Sequence, residues 1–476
     1  MSNPKTVVDD RAGMPKPKAL GAALLQVRNL VERLRAGSKS KRSGDFGVIA
    51  FVDKSLGGIH LAGDDASQYR ACLESLVGLH DSNPDLRALS RDAVDGLLKK
   101  TILRAIRPRY PRNEDRAKFS RRLGRELLRL RSALTAPTDE WLVTVKVHGF
   151  EPSGLPFRFG SVEFEAGTPE ATAMVAAQLE DYMPKRAVGK SKLQAEQRMR
   201  AEERKSIQDS FAAATIARSA VRAVDDKAAR HLGLERVRRT IDVLNFFAPY
   251  FHRYSDVPRA FVAPEGKRTS LPWVVRRMKG GSLHWSCPTS EVSRFENTPI
   301  AAIDLTSARA VEIGLDRASA ILETAMPNDL ETRIANAMVW AGRASVEPRH
   351  DLAFLLFAIS LEALLTKPSA RGGVTDRLRL RVTHLIGIMP ATRKRVFELM
   401  GRIYTIRSNL VHSGDATDLT DADLQAIRTL VQCAITGVLT DSRFKGMRRA
   451  SELEQWLDDQ LIAAGAAGDK IASARS

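Results

Sequence analysis

The sequence predicts a mainly helical α+β protein, in which a mixed helix and strand region precedes a compact helical bundle. Apolar residues recur at helical spacing along most of the chain, two stretches near the middle alternate apolar and polar residues as strands do, and from Asp304 onward only helical patterns occur. At 476 residues the chain is long enough for two or three domains. We expect a mainly helical N-terminal region over residues 1–135, a mixed module with a basic helical insertion over 136–300, the helical bundle over 301–445 and a tail over 446–476.

The N-terminal region is predicted to contain a loose arm to about residue 18, a helix over 20–35, a strand-like run over 47–52 and helices over 69–79 and 86–106. Segment 102–131 carries eleven Lys or Arg residues against three Asp or Glu, with Phe and Leu at helical spacing between them. This basic amphipathic helix has two interpretations. It is either a surface that faces phosphates or a helix that packs through its Leu stripe and keeps its arginines in water.

The middle region shows strand patterns on either side of a helical insertion. Residues 141–148 and 157–164 alternate apolar and polar side chains and are predicted to pair as an antiparallel hairpin. A second β-rich stretch covers residues 259–262, 273–277 and 282–286, with a turn at 279–281. The insertion between them, residues 168–250, is predicted to be helical and broken near Pro184. No P-loop, dinucleotide-binding fingerprint or H-E-x-x-H helix occurs here.

The C-terminal bundle is predicted from six apolar stripes at helical spacing. A capping box of Thr420 and Asp423 marks the start of its last helix. The predicted helices cover residues 307–325, 330–342, 351–365, 375–388, 392–413 and 421–439.

Composition narrows the partners that the chain can have. The net charge is +18 and the pI is about 10.0, which favours polyanions such as nucleic acid, although a generally Arg-rich composition with solvated faces would give the same numbers. The three cysteines lie far apart without metal-ligand spacing, so neither a disulfide framework nor a zinc site is expected. The apolar runs are too short for a signal peptide or a membrane span, so we expect a soluble, cytoplasmic protein that does not associate with membranes.

The stretch around Arg407 and His412 combines a fixed cation with a titratable imidazole. At about 100° per residue, Tyr404, Arg407, Ser408 and His412 lie on one broad face of a helix. This face covers an arc of about 140° around the helix axis. Gly414 is then placed to end the helix, so that His412 lies in its last turn. An arginine and a histidine so arranged can bind and cleave a phosphodiester without metal. The same spacing occurs a second time, at Arg379 and His384, so the spacing alone does not identify a site.

Context distinguishes the two pairs. The apolar run 351–365 contains a Leu-Glu-Ala-Leu sequence at 361–364, and two helices later comes Tyr404-Thr-Ile-Arg407-Ser-Asn-Leu-Val-His412-Ser-Gly414. This combination resembles the Apea-like HEPN family over about residues 328–439. The resemblance implies a small helical bundle, a homodimer, and metal-independent ribonuclease activity through an Arg-x4–6-His motif, although other members of the family show no cleavage.

The resemblance also implies roles for individual residues, with no metal and no cofactor. Arg407 would hold the scissile phosphate and His412 would move the proton, giving a 2′,3′-cyclic phosphate and a 5′-hydroxyl. Tyr404, Ser408 and Asn409 would support them, and Glu362 either orients Arg407 or is a core carboxylate paired for folding. A further group of cations either guides RNA or forms only the wet side of the bundle: Arg377, Arg379, Arg381, Arg393, Lys394, Arg395 and Arg402.

Three functions therefore compete. The first is an endoribonuclease whose composite site forms when two chains dimerise. The second is a non-catalytic dimer that binds RNA or protein as a scaffold. The third is a sensor whose first 300 residues detect an infection-linked trigger ligand and hold a dormant nuclease. Family resemblance implies a role in phage defence or toxin-like growth arrest, with an antitoxin as a further partner.

Overall fold

The computed structural model describes most of the chain and divides it into two compact units. The described residues are 17–36, 49–53, 57–61, 63–79, 91–106, 115–135, 138–152, 156–177, 190–212, 214–251, 259–262, 273–278, 283–286, 299–366, 374–387, 389–414 and 416–460. Unit 1 comprises Met1–Val143, Ala220–Leu234 and Val275–His284, and unit 2 comprises Thr144–Ser219, Glu235–Val274 and Trp285–Ser476. Neither unit is one continuous segment of the chain.

Unit 1 begins with helices whose apolar stripes form a common core. Val27, Leu98 and Leu123 are among its buried residues. The predicted helix over 20–35 and strand over 47–52 are confirmed, whereas the predicted arm falls almost wholly outside the described residues. The elements are α1 Pro17–Ala36, β1 Ile49–Asp53, β2 Gly57–Leu61, α2 Gly63–Gly78, α3 Arg91–Ile106 and α4 Arg116–Leu134, with β1 and β2 antiparallel.

The middle of the chain supplies a six-stranded sheet and its flanking helices. Its strands follow the order β5-β6-β7-β3-β8-β9, and β4 pairs in parallel with β10. The strands are β3 Asp139–Val147, β4 Phe150–Glu151, β5 Phe157–Phe159, β6 Val162–Ala166, β7 Thr215–Ala223, β8 Trp273–Arg277, β9 Leu283–Ser286 and β10 Ile300–Ala301. The helices are α5 Pro169–Ala177, α6 Lys190–Phe211 and α7 Asp226–Phe247, followed by a 3-10 turn at Ala248–Tyr250.

Two predictions about this sheet are wrong. Residues 157–164 do not pair with β3, because they fold back on themselves as the hairpin β5–β6, with Phe157 opposite Phe164. Gly160, at φ +58°, allows the tight turn between these two strands. The predicted helical insertion contains a strand, β7, which pairs with β6. Its alanines and arginines favour helix, but from Ala217 to Ala223 burial alternates in a period of two, so packing on the sheet overrides propensity.

The second β-rich stretch is confirmed in part. Strands β8 and β9 are neighbours in the sheet, as predicted, and their turn lies outside the described residues. Residues 259–262 do not form a full strand. Phe261 makes only an isolated antiparallel bridge with His148, in which the two backbones exchange hydrogen bonds of 2.8 Å.

From Ala302 onward the described chain is helical, as predicted. One predicted helix is divided, because Gly314 adopts φ +83° between α9 and α10, and a Cβ there would lie 2.8 Å from Cβ of Leu439. The capping box of Thr420 and Asp423 at the start of α15 is confirmed. The helices are α8 Ala302–Leu305, α9 Ala308–Glu312, α10 Leu315–Glu323, α11 Asp329–Val346, α12 His350–Leu365, α13 Val374–Ile386, α14 Pro390–Ser413, α15 Asp421–Thr440, α16 Ser442–Lys445 and α17 over residues 450–460.

The predicted tail from residue 446 differs from the structure, because its first part is helix α17. Leu453 and Leu457 of α17 are buried. Arg333 of α11 donates to Glu454 at 2.9 Å, so the helix is held by charge as well as by apolar packing. Overall, the described chain is mainly helical with a small sheet, as the sequence predicts. Among the described residues, no helix is long and apolar enough to span a bilayer.

Candidate functional site

Helices α12 and α14 of unit 2 carry the predicted site. Helix α12 is apolar along most of its length and is buried at Phe354, Phe357 and Leu361, so its one carboxylate beyond the first turn, Glu362, stands out. Helix α14 starts with Pro390, where a missing N–H costs nothing, and stops at Gly414, which has φ +68°. The predicted C-terminal stop is therefore confirmed.

Glu362 receives two side chains of α14. Nε of Arg407 lies 3.2 Å from Oε1 of Glu362, and Nη2 of Arg407 donates to Oε2 at 3.4 Å. The hydroxyl of Tyr404 donates to Oε1 at 3.2 Å. Tyr404 and Arg407 lie three residues apart, so both reach the same point on the neighbouring helix. The contact between Glu362 and Arg407 that the sequence predicts is present, and its orienting role stays a prediction.

The environment of Tyr404 makes it a donor and not a proton carrier. Its ring is 6% exposed. Burial raises the pKa of Tyr404, and the negative charge of Glu362 and the hydrogen bond to it raise that pKa further. At neutral pH the hydroxyl is protonated and donates to Glu362. Tyr404 thereby helps to fix the carboxylate that holds Arg407.

Arg407 keeps part of its hydrogen-bonding capacity. Its side chain is 30% exposed and that of Glu362 is 24% exposed. A guanidinium has five N–H donors, and the contacts to Glu362 use one on Nε and one on Nη2. Both donors on Nη1 are left for a phosphate oxygen. The carboxylate therefore fixes the orientation of the guanidinium while the side chain as a whole stays 30% exposed, which is what an anion clamp needs.

His412 lies in the last turn of α14 and is exposed, as are Ser408 and Val411. Among the described residues, none forms a hydrogen bond or an ion pair with the His412 side chain. Asn409 is half-buried, and its carbonyl accepts a hydrogen bond of 2.6 Å from the Ser413 hydroxyl near the helix end. The predicted proton carrier is thus accessible, and Ser408 and Asn409 do not join the network at Glu362.

Among the described residues, Arg407 and His412 form no hydrogen bond or ion pair with each other, directly or through a third side chain. Five residues along a helix correspond to a rotation of about 140° and a rise of about 7.5 Å, so the two side chains leave the helix in different directions. A single chain therefore presents the cation and the imidazole as neighbouring groups and not as a touching pair.

The predicted RNA-guiding cations fall into different environments. Arg377, Lys394 and Arg395 are exposed and form no ion pair with any described residue. Arg393 donates to the Gly387 carbonyl at 2.8 Å. Arg402 holds both carboxylate oxygens of Asp423, at 2.6 and 2.9 Å, and this contact lowers the pKa of Asp423. Arg402 thus stabilises the start of α15.

Arg381 is not available to a phosphate. It is 3% exposed, its Nη1 donates to the Leu365 carbonyl at 2.7 Å, and its Nη2 lies 3.1 Å from Asp458 and 3.8 Å from Glu454. A buried guanidinium enclosed by two carboxylates anchors α17 to α13. We therefore leave Arg381 out of the surface considered for RNA.

The second Arg-His pair, on α13, is packed against α14. Arg379 lies over the ring of Phe397, 4.1 Å from its centroid. His384 is half-buried, and Nδ1 accepts or donates no hydrogen bond among the described residues. Burial, and next the charge of Arg393, lower the pKa of His384.

Sequence reasoning missed a cavity of about 350 Å³ in unit 2 that is lined by both polar and apolar side chains. Asp242 of α7 and Arg343 of α11 line it and form an ion pair at 2.8 Å, and burial raises the pKa of Asp242 to about 6. Gly342 permits the close approach, since a Cβ there would lie 1.7 Å from the Asp242 carbonyl oxygen. No local signal could have found this pair, because its members lie far apart in the sequence.

Comparison with known proteins gives no relative for this chain: no family model, no curated protein and no solved structure matches it. Among the described residues, no group of three or more His, Cys, Asp or Glu is arranged to hold a metal ion.

Proposed function

We propose that this chain is a metal-independent endoribonuclease of HEPN type, with Arg407 as the phosphate clamp and His412 as the proton carrier. One observation supports the proposal most directly. A carboxylate on one helix orients a half-exposed arginine on another, and the arginine-bearing helix ends with an accessible histidine. A purely structural ion pair would explain Glu362 and Arg407 but would give no reason for the exposed imidazole.

The reaction follows from the two groups. The 2′-oxygen of a ribose attacks the adjacent phosphorus while His412 takes the 2′-hydroxyl proton, and the bond from phosphorus to the 5′-oxygen breaks. A second imidazole, in its protonated form, gives a proton to the leaving 5′-oxygen. The products are a 2′,3′-cyclic phosphate and a 5′-hydroxyl, and no water is consumed. Arg407 stabilises the charge that develops on the phosphate oxygens.

A homodimer supplies the second imidazole. Because Arg407 and His412 diverge by about 140° on one helix, a second copy of α14 facing the first would bring two clamps and two proton carriers to one phosphate. Val411, which precedes His412 and is 50% exposed, offers apolar surface for such a contact. We expect sedimentation velocity to give a dimer at micromolar concentration. A strict monomer with full activity would contradict the composite site.

The test is cleavage of RNA in EDTA. We expect the purified full-length chain to cut RNA and to leave cyclic phosphate and 5′-hydroxyl ends, which phosphatase and kinase treatment distinguish. His412→Ala should abolish these products. If the wild-type chain yields 3′-hydroxyl ends, or if cleavage requires added metal, the proposed chemistry is wrong.

One observation favours a second candidate, a non-catalytic dimer that binds RNA or protein as a sensor or scaffold. Glu362 already balances the charge of Arg407, and Tyr404 completes a network that would stabilise the helices without any substrate. In that case the chain would bind RNA without cutting it, and Arg407→Ala would lower the stability of the fold and have no reaction to impair.

A further inference from the structure

The outward side of α4 in unit 1 is a row of cations. Lys118, Arg121, Arg125 and Arg129 follow at intervals of three or four residues, which places them along one side of the helix. All four are exposed, and the Arg129 side chain is 63% exposed. The sequence left open whether this helix faces phosphates or only water.

The opposite side of α4 is apolar and packs in the core of unit 1. Leu123, Leu130 and Leu134 are 2%, 1% and 1% exposed in the core of unit 1. Phe119 is 4% exposed, and the guanidinium of Arg35 lies 4.1 Å from its ring centroid. Because the apolar side is buried, α4 has no amphipathic face to insert into a bilayer. What it presents outward is mainly positive charge, interrupted by a single large apolar side chain, Leu128, which is 64% exposed.

This charge is not balanced within the helix. Glu126 is the only acidic residue of α4, is 6% exposed, and lies between Arg104 and Arg129. Lys118, Arg121 and Arg125 form no ion pair with any described residue. Arginines at 121, 125 and 129 have the spacing at which like charges destabilise a helix. A merely solvated face has no need of such an arrangement, since interspersed acids would relieve the repulsion.

We propose that this row binds the phosphate backbone of RNA. From Lys118 to Arg129 the helix rises about 16 Å, so four cations follow one another at about 5 Å, a spacing of the same order as the roughly 3.4 Å of duplex axis at which one strand carries its phosphates. A regular line of cations matches a regular line of anions better than it matches the scattered carboxylates of an acidic protein. The choice of RNA over DNA rests on the proposed function. Binding of the cation row to a phosphate backbone is argued from the structure alone.

The test measures binding without cleavage. The full-length chain is titrated with a labelled 2′-O-methyl RNA oligonucleotide, which lacks the attacking hydroxyl, at several salt concentrations. The variant Lys118→Gln/Arg121→Gln/Arg125→Gln should weaken binding at low salt. It should also flatten the slope of log affinity against log salt by about 2, because each phosphate contact on a single strand contributes about 0.7.

A matched control removes the same charge elsewhere. Lys445, Arg448 and Arg449 are exposed, and replacing all three by glutamine should leave the salt slope unchanged. If the control flattens the slope as much as the α4 variant does, net charge and not this surface drives binding, and the proposal is overturned. The proposal is also overturned if the α4 variant binds RNA with wild-type affinity and a wild-type salt slope. This outcome is expected if α4 binds an acidic protein instead of RNA.

Folding and function are separated by two further measurements. The α4 variant should unfold at or above the wild-type temperature, because substitution removes repulsion between like charges. If it unfolds lower, Arg125→Gln alone repeats the titration, with a slope change of about 0.7. On cleavable RNA the α4 variant should raise KM and keep kcat. If RNA binds through α4 but is not cleaved, the proposed nuclease is rejected and the binding surface on α4 is kept. If RNA is cleaved and the α4 variant has wild-type KM and kcat, the nuclease is kept and the binding surface is rejected.

Discussion

Helices α13 and α14 carry the same Arg-x4-His spacing, but their arginines contact different groups on the neighbouring helix. The guanidinium of Arg379 on α13 lies 4.1 Å from the centroid of the Phe397 ring, and its Nη2 would be 2.8 Å from a Cβ on Gly401, so it packs closely against α14. Arg407 of α14 is instead held by Glu362 through Nε and Nη2. The two side chains are exposed to a similar extent, 24% for Arg379 and 30% for Arg407, so the difference lies in the group on the neighbouring helix that each guanidinium contacts.

The two histidines differ in exposure. His384 is half-buried with a lowered pKa, whereas His412 is exposed in the last turn of its helix. Identical spacing therefore does not give identical chemistry. What differs is the partner on the neighbouring helix, an aromatic ring in one case and a carboxylate in the other.

The largest expected effect is a difference in RNA cleavage between variants of the α14 pair and variants of the α13 pair. Arg407→Ala and His412→Ala should each lower the rate of RNA cleavage in EDTA by about 10²- to 10⁴-fold, the usual contribution of a positioned acid or base. Arg379→Ala and His384→Ala are the matched controls and should keep cleavage near wild type for the fraction of protein that is folded. Equal loss from both pairs would show that the difference in environment has no functional meaning.

Glu362 is expected to act by orienting the guanidinium of Arg407. Glu362→Gln keeps the size and one acceptor but removes the charge that fixes Arg407, so kcat should fall about tenfold, equivalent to about 1.4 kcal/mol, with KM nearly unchanged. Tyr404→Phe removes one hydrogen bond to the same carboxylate and should have a smaller effect. A rise in KM without a change in kcat would mean that Glu362 acts in binding and not in orienting the clamp.

Arg379 should matter for stability where Arg407 matters for activity. Arg379→Ala loses the contact with Phe397 and its packing, and we expect the free energy of unfolding to fall by about 1–2 kcal/mol. Arg407→Ala should cost less, because its ion pair is partly exposed and such pairs contribute at most about 1 kcal/mol. Urea denaturation of the two variants measures both values. The reverse order would favour the structural network over the nuclease.

The smallest expected effect is a pH dependence from His384. Its lowered pKa means that the folded protein disfavours the protonated imidazole, so the unfolded chain takes up this proton first as the pH falls through about 6.5. The contribution of His384 to stability is therefore fully present above that pH and declines below it. His384→Gln should remove this decline, which urea denaturation at pH 5 and pH 7 can detect. A wild-type pH dependence in the variant would assign the effect to other groups.

Periodicity in the sequence determined the helices of this protein. The apolar stripes of α11, α12, α14 and α15 and the stop at Gly414 could be predicted because each depends on residues within a few turns of one another. A strand such as β7 could not, since its alanines and arginines favour helix and only its place between β6 and β3 makes it a strand. The hairpin β5–β6 was missed for the same reason, because strand pairing is a choice among distant partners.

The candidate site shows the same division. The sequence by itself determined that Arg407 and His412 stand in the last turns of one helix, about 140° apart around its axis, because helix geometry fixes the directions of neighbouring side chains. Only the tertiary structure decided that Arg407 meets Glu362, that Arg379 meets Phe397 and that Arg381 is enclosed by Asp458 and Glu454. Arginines that look alike in the sequence differ in exposure and partner because packing between helices depends on contacts across tens of residues, which no local pattern encodes.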